Sequence, residues 1–103
     1  ARLAENNGIP LENLLQGVNA GSGRSAVSEV NFPKWILNGA FDSGFTMGLM
    51  RKDVGLAIKL AAQSGLDLPA TRSVAEIWEA SRDELPDSAD FNEIFNFGTT
   101  EHV

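Results

Sequence analysis

Residues 45–64, FTMGLMRKDVGLAIKLAAQS, are the longest helical pattern in the chain and decide its fold class. Met50, Val54, Ala57, Ile58 and Ala61 recur at helical spacing as one apolar stripe, and Phe45, Leu49, Leu56 and Leu60 form a second. Only a narrow arc is left for solvent. Such a helix is expected at the centre of a bundle, closed at Gly65, where glycine accepts the left-handed conformation of a C-terminal cap.

The flanking sequence punctuates further helices. Downstream, Pro69 restarts a helix to about residue 84 that is expected to bury Val74, Ile77 and Trp78, and Pro86 ends it. Asp87 or Ser88 can cap a last short helix holding Phe91, Ile94 and Phe95. Upstream, residues 39–44 read as loop. Before it, Ser25 can cap a helix to about residue 38 carrying Val27, Val30, Trp35, Ile36 and Leu37, with a kink or restart at Pro33. Pro10 opens a short helix on which Leu11, Leu14, Leu15 and Val18 share a face up to residues 19–21. Residues 1–8 read as the last turns of another helix capped at Asn7 and Gly8, so a truncated chain starting in mid-helix is the expectation. No strand-like alternation, repeat or low-complexity linker interrupts this pattern. The reading is all-α, a bundle of five or six helices.

Composition narrows the function. At 103 residues the chain has length for one domain with one core. Eight basic residues stand against 14 acidic ones, a formal charge of −6, and the basic residues are scattered. A nucleic-acid surface is therefore not expected. With no cysteine there can be no disulfide or thiolate chemistry, and no apolar run approaches membrane-spanning length. A soluble, cytoplasmic protein is the expectation, with no metal site.

Catalysis by this chain alone is not expected. Its one histidine, His102, sits in a polar tail, no carboxylates are paired for acid–base work, and there is no GxGxxG loop between a strand and a helix. Two features stand out. Lys52 and Asp53 interrupt the apolar pattern of the long helix, either as part of a solvent arc with Arg51 beside them or as charges facing a cleft, where a ligand or partner domain would pair them. In the turn at residues 21–25, Gly23 permits close backbone approach, and Arg24 with free amide groups could receive a carboxylate, unless the turn is simply a connection capped by Ser25.

Taken together, NAGSGRS (19–25), NFPK (31–34), GFTMGLMRKDVGLA (44–57), GLDLP (65–69) and Asp90-Phe91 resemble the C-terminal domain of the β-hydroxyacid dehydrogenases, the family of 3-hydroxyisobutyrate dehydrogenase and of tartronate-semialdehyde and glyoxylate/succinic-semialdehyde reductases. The resemblance implies the two-domain architecture shared with 6-phosphogluconate dehydrogenase. A Rossmann domain would bind NAD or NADP, and this helical domain would close the cleft and contribute to a homo-oligomer interface. The reaction implied is hydride transfer between the nicotinamide and a small hydroxyacid, with a general acid/base lysine expected upstream of Ala1. The fragment alone would then be inactive.

Residue by residue, the resemblance assigns Lys52 to the nicotinamide end of the cofactor, Asp53 to the Lys-Asp motif beside it and Phe45 to an aromatic next to the substrate pocket. Gly23 and Arg24 fall in the pocket turn. Ala26 stands where many relatives carry tryptophan, and Asn31 where some carry an aromatic residue; both changes open or polarise the pocket. The alternatives are a stand-alone helical interaction or dimerisation module and an imine-reductase-like enzyme of the same architecture.

Overall fold

In the computed structural model, which describes residues 1–98, the order of elements is α1 (Arg2–Asn6), α2 (Leu11–Asn19), a π-helix (Val27–Ile36), α3 (Met47–Gln63), α4 (Pro69–Ala80) and two 3₁₀ turns (Ser81–Asp83 and Phe91–Asn96). No strand occurs among the described residues; the one β feature is an isolated antiparallel bridge between Thr46 and Asp90. The all-α expectation holds.

Helix ends follow the residues that mark them. α1 stops in a Schellman turn: Gly8, at φ 79°, donates to Glu5 O at 3.0 Å, and Ile9 donates to Ala4 O at 2.9 Å. α3 ends in the same way at Gly65, φ 69°, with Leu66 donating to Ala61 O at 3.1 Å. Thr46, and not Phe45, opens α3, its hydroxyl accepting from the Leu49 amide at 3.2 Å. Ser25 caps the π-helix by accepting from Ser28 N at 3.1 Å, while Ser28 Oγ accepts from Ser25 N at 2.8 Å. This reciprocal pair serves as a capping box with serine in the place usually held by glutamate.

At Pro33 the helix does not restart. The helix runs through it with wide turns, Leu37 N donating to Phe32 O at 2.7 Å, five residues back. Proline has no amide proton, and in α geometry its ring meets the carbonyl four residues earlier; a wider turn relieves that conflict and keeps the segment helical. The last short helix also departs from expectation, because Asp90 caps it in place of Asp87 or Ser88. The backbone at 87–89 is engaged elsewhere, since Met47 N donates to Ala89 O at 2.8 Å and Gly48 N to Asp87 O at 3.0 Å.

The chain divides into two compact units, Ala1–Ala40 and Phe41–Val103, instead of one. In the first, α2 packs against α1 and the π-helix; in the second, α3 packs against α4 and the turn at Phe91–Asn96. Among the described residues buried apolar side chains are few: Ala4 and Leu15 in the first unit, and Met47, fully buried, in the second. The expectation that α3 lies at the centre of a bundle is therefore corrected. One face of it meets α4, while Leu49, Leu56 and Leu60 stand 46, 55 and 63% exposed. Val74 and Ile77, expected in the core, are exposed too, as are Val27, Val30 and Leu37. These helices carry apolar surface on more sides than the chain has elements to cover.

Candidate functional site

A helix advances about 100° per residue, so Arg51, Lys52 and Asp53 cannot share a face. Arg51 is the one that turns inward. It is 5% exposed, and its Nη1 donates to Asp87 Oδ1 at 2.7 Å while Nη2 donates to Ser81 Oγ at 2.9 Å and to Leu85 O at 2.8 Å. Ser81, fully buried, in turn donates to Trp78 O at 2.5 Å. The sequence reading that put Arg51 on a solvent arc beside Lys52 is thus corrected. Its spacing carried the signal: Arg51 lies four residues after the buried Met47, on the same side of the helix.

Lys52 and Asp53 are exposed, and neither forms an ion pair with a described residue. Their surroundings on the helix are not those of an ordinary solvated arc. Relative to Arg51, Lys52 lies about 100° around the axis and Asp53 about 200°, and Leu49, Leu56 and Leu60 fall between them. An ammonium and a carboxylate thus sit among three exposed leucines. Water-facing helix surfaces are normally polar, so this composition marks a face built for contact.

Phe45 is half-buried at the entry to α3. Its ring packs edge-to-face on Phe91, centroids 5.2 Å apart at 83°, and its carbonyl accepts from Phe91 N at 2.9 Å. The neighbouring Asp90 ties the segment together. Oδ1 accepts from Ser43 N at 2.8 Å and Ser43 Oγ at 2.5 Å, and Oδ2 from Asn92 N at 3.0 Å and Asn92 Nδ2 at 2.9 Å. Partial burial, the largest single influence, pushes this carboxyl upward; the hydrogen bonds from Ser43 and Asn92 together outweigh it, and its pKa lies below the ordinary aspartate value.

A carboxylate stabilised in this way strengthens the fold above the pKa of an unfolded aspartate, about 3.9, and the gain is lost as the pH falls through its own lower value. Asp90→Asn is therefore expected to be less stable than wild type at neutral pH, with the gap closing below about pH 4. Denaturant titrations of both proteins at several pH values measure it; a gap that widens on acidification contradicts the assignment.

The other sequence-level candidates lie on the first unit. Gly23 lines an open cavity of about 510 Å³ with Ile9, Leu14 and Val18. Arg24 is exposed and pairs with no described carboxylate. The amides expected to be free beside it are partly used: Arg24 N donates to Gly21 O at 3.4 Å, and Ser25 N to the Ser28 hydroxyl. Ala26 is exposed and Asn31 half-buried. His102 lies outside the described residues. Among the described residues no cluster of histidine or acidic side chains could hold a metal ion, and no helix is long and apolar enough to cross a membrane.

Comparison with known proteins gives a consistent result. The model of a family described as NAD-binding of NADP-dependent 3-hydroxyisobutyrate dehydrogenase matches residues 2–97. Over 75 residues, 73% of the chain, the sequence is 35% identical to 2-(hydroxymethyl)glutarate dehydrogenase of Eubacterium barkeri, of which it covers 25%. Among solved structures, it is similar to 3-hydroxyisobutyrate dehydrogenase of Mycobacterium tuberculosis with L-serine, at a TM-score of 0.81 and 27% identity, covering 91% of this chain and 34% of that one. The 3-hydroxyisobutyrate dehydrogenase of Salmonella typhimurium matches with a TM-score of 0.74 at 25% identity, covering 92% of this chain and 33% of that one. The chain thus spans a quarter to a third of the length of these relatives.

Proposed function

We propose that this chain, which belongs to the family of NAD-binding domains of NADP-dependent 3-hydroxyisobutyrate dehydrogenase, is the cleft-closing helical domain of a longer, cytoplasmic, homo-oligomeric dehydrogenase. Its substrate would be a small β-hydroxyacid such as 3-hydroxyisobutyrate. One observation supports the reading: Lys52 and Asp53 have no ionic partner among the described residues and lie on a face of α3 whose neighbours are exposed leucines. A face of this kind suits a closed cleft, where apolar contact excludes water and two charges meet polar atoms of a ligand.

NAD or NADP fits this chain as a ligand held mainly from elsewhere. An unpaired ammonium can donate to the oxygens of a dinucleotide, and the leucines beside it can cover a ring. The phosphates need a strand, a glycine turn and a helix N-terminus, and no strand occurs among the described residues. When bound, the nicotinamide supplies the hydride acceptor or donor. In this reading Lys52 donates to the cofactor from the α3 side, Asp53 accepts within the same cleft and holds the ammonium's local charge in balance, and Phe45 bounds the substrate side. For the first unit the resemblance alone supports a substrate-side role of Gly23, Arg24, Ala26 and Asn31, with Arg24 proposed as the cation for a substrate carboxylate.

The test is Lys52→Ala in the full-length enzyme. Loss of a charge-assisted hydrogen bond, about 1.5–3 kcal/mol, is expected to raise the KM for NAD(P) about 10- to 100-fold. Stability should change by no more than about 0.5 kcal/mol, because the side chain is exposed and unpaired. Steady-state kinetics with 3-hydroxyisobutyrate and varied cofactor decide it. An unchanged KM would return Lys52 to the role of a surface charge and favour a helical interaction module.

A further inference from the structure

We infer that Arg51 is a positioning residue for Lys52 and Asp53: its buried guanidinium fixes the rotation of α3 about its own axis, and with it the direction in which the neighbouring ammonium and carboxylate leave the helix. The inference rests on the proposed role of Lys52.

The guanidinium reaches three separate points on the segment after α4, namely Ser81 Oγ, Leu85 O and Asp87 Oδ1. A planar fork bonded at three points, on a side chain that is itself buried, restricts the rotation of the helix that carries it. One turn earlier, Met47 N and Gly48 N bind Ala89 O and Asp87 O, so both grips hold the same side of α3. With Arg51 turned in, helical geometry sends Lys52 and Asp53 to the opposite side, about 100° and 200° around. Rolling the helix by one residue would bring Lys52 to the inner side.

The arrangement contributes to stability and, besides that, sets an angle. Asp87, the anionic partner, has a side chain 65% exposed while that of Arg51 is 2% exposed, so the pair also stabilises the buried guanidinium. Arg51 Nε is buried with no hydrogen-bond partner among the described residues, which subtracts from that contribution. What the three bonds do supply is a fixed angle one residue away from the exposed pair.

The experiment is a double-mutant cycle on the cofactor KM of the full-length enzyme. Arg51→Lys keeps the charge but loses the fork, and is expected to raise the KM for NAD(P) about tenfold with a smaller change in kcat. Asp87→Ala, which removes one of the three contacts and leaves Ser81 Oγ and Leu85 O to hold the guanidinium, should raise it about threefold and serves if Arg51→Lys does not fold. In a Lys52→Ala background either change should add less than about twofold, because there is no ammonium left to misdirect. Full additivity, or lost stability with an unchanged KM, would overturn the positioning role. A Lys52→Ala effect beside unmoved Arg51 and Asp87 variants sinks this inference alone, whereas an inert Lys52→Ala removes the proposed function and this inference with it.

Discussion

Met47→Ala is expected to lower the unfolding free energy of the full-length protein's helical part by about 2–5 kcal/mol, the range for truncating a buried methionine. Among the described residues of the second unit, Met47 is the one large apolar side chain that is fully buried, at 0% exposure. Little around it can collapse into the space left behind, because its amide is held on Ala89 O and the next residue's amide on Asp87 O. The cavity would persist and the cost would fall toward the upper half of the range. Cofactor KM should move with it, since Met47 belongs to the same grip that orients α3. Urea titration followed by helical circular dichroism measures the first effect; a loss below about 1 kcal/mol would mean that the unit's stability comes from elsewhere.

Gly48→Val is expected to cost about 1–3 kcal/mol by overpacking. A Cβ built at Gly48 would lie 3.0 Å from Asp87 Cβ, 3.3 Å from its Cγ and 3.4 Å from its carbonyl oxygen. The opposing residue has little freedom to retreat, because its carbonyl accepts the Gly48 amide and its carboxylate accepts from Arg51. Gly48→Ala tests the same contact more gently. There the clash is offset by the better helix propensity of alanine, about 1 kcal/mol, so alanine should fall well short of valine. Equal and small effects in both variants, measured by denaturant titration, would show that the 87–89 segment yields.

Much of the fold was legible because it is written in local signals. Gly8 and Gly65 mark left-handed caps, Pro69 starts a helix, Ser25 caps another, and the apolar periodicities locate α2, α3 and α4. These depend on neighbours in sequence, which a linear reading contains. What it could not contain was how many apolar faces the chain itself would cover. Periodicity gives the same stripe for Leu56 whether its partner lies within these 103 residues or outside them, and the single core expected from length became two lightly buried units.

The site divides along the same line. Lys52 and Asp53 were visible as charges breaking an apolar pattern, and their exposure among leucines gives physical content to a resemblance that named them. Arg51 was hidden because the partners that make burial of a guanidinium possible, Ser81, Leu85 and Asp87, lie 30 to 36 residues away, and its spacing from Met47 gives the side of the helix but not those partners. Asp90 was noticed only as part of a motif, and its hold on Ser43 joins positions 47 residues apart.

The wide turns around Pro33 make residue count itself a carrier of information. In an α-helix a side chain's compass direction follows from its distance to any other residue, but each π turn takes in one residue more, so directions measured before Pro33 do not carry over to Trp35 and Ile36. Removing a single residue there would let the segment tighten and swing Trp35 and Ile36 to a new bearing. The length of this stretch is thus as much a part of its code as the identities within it.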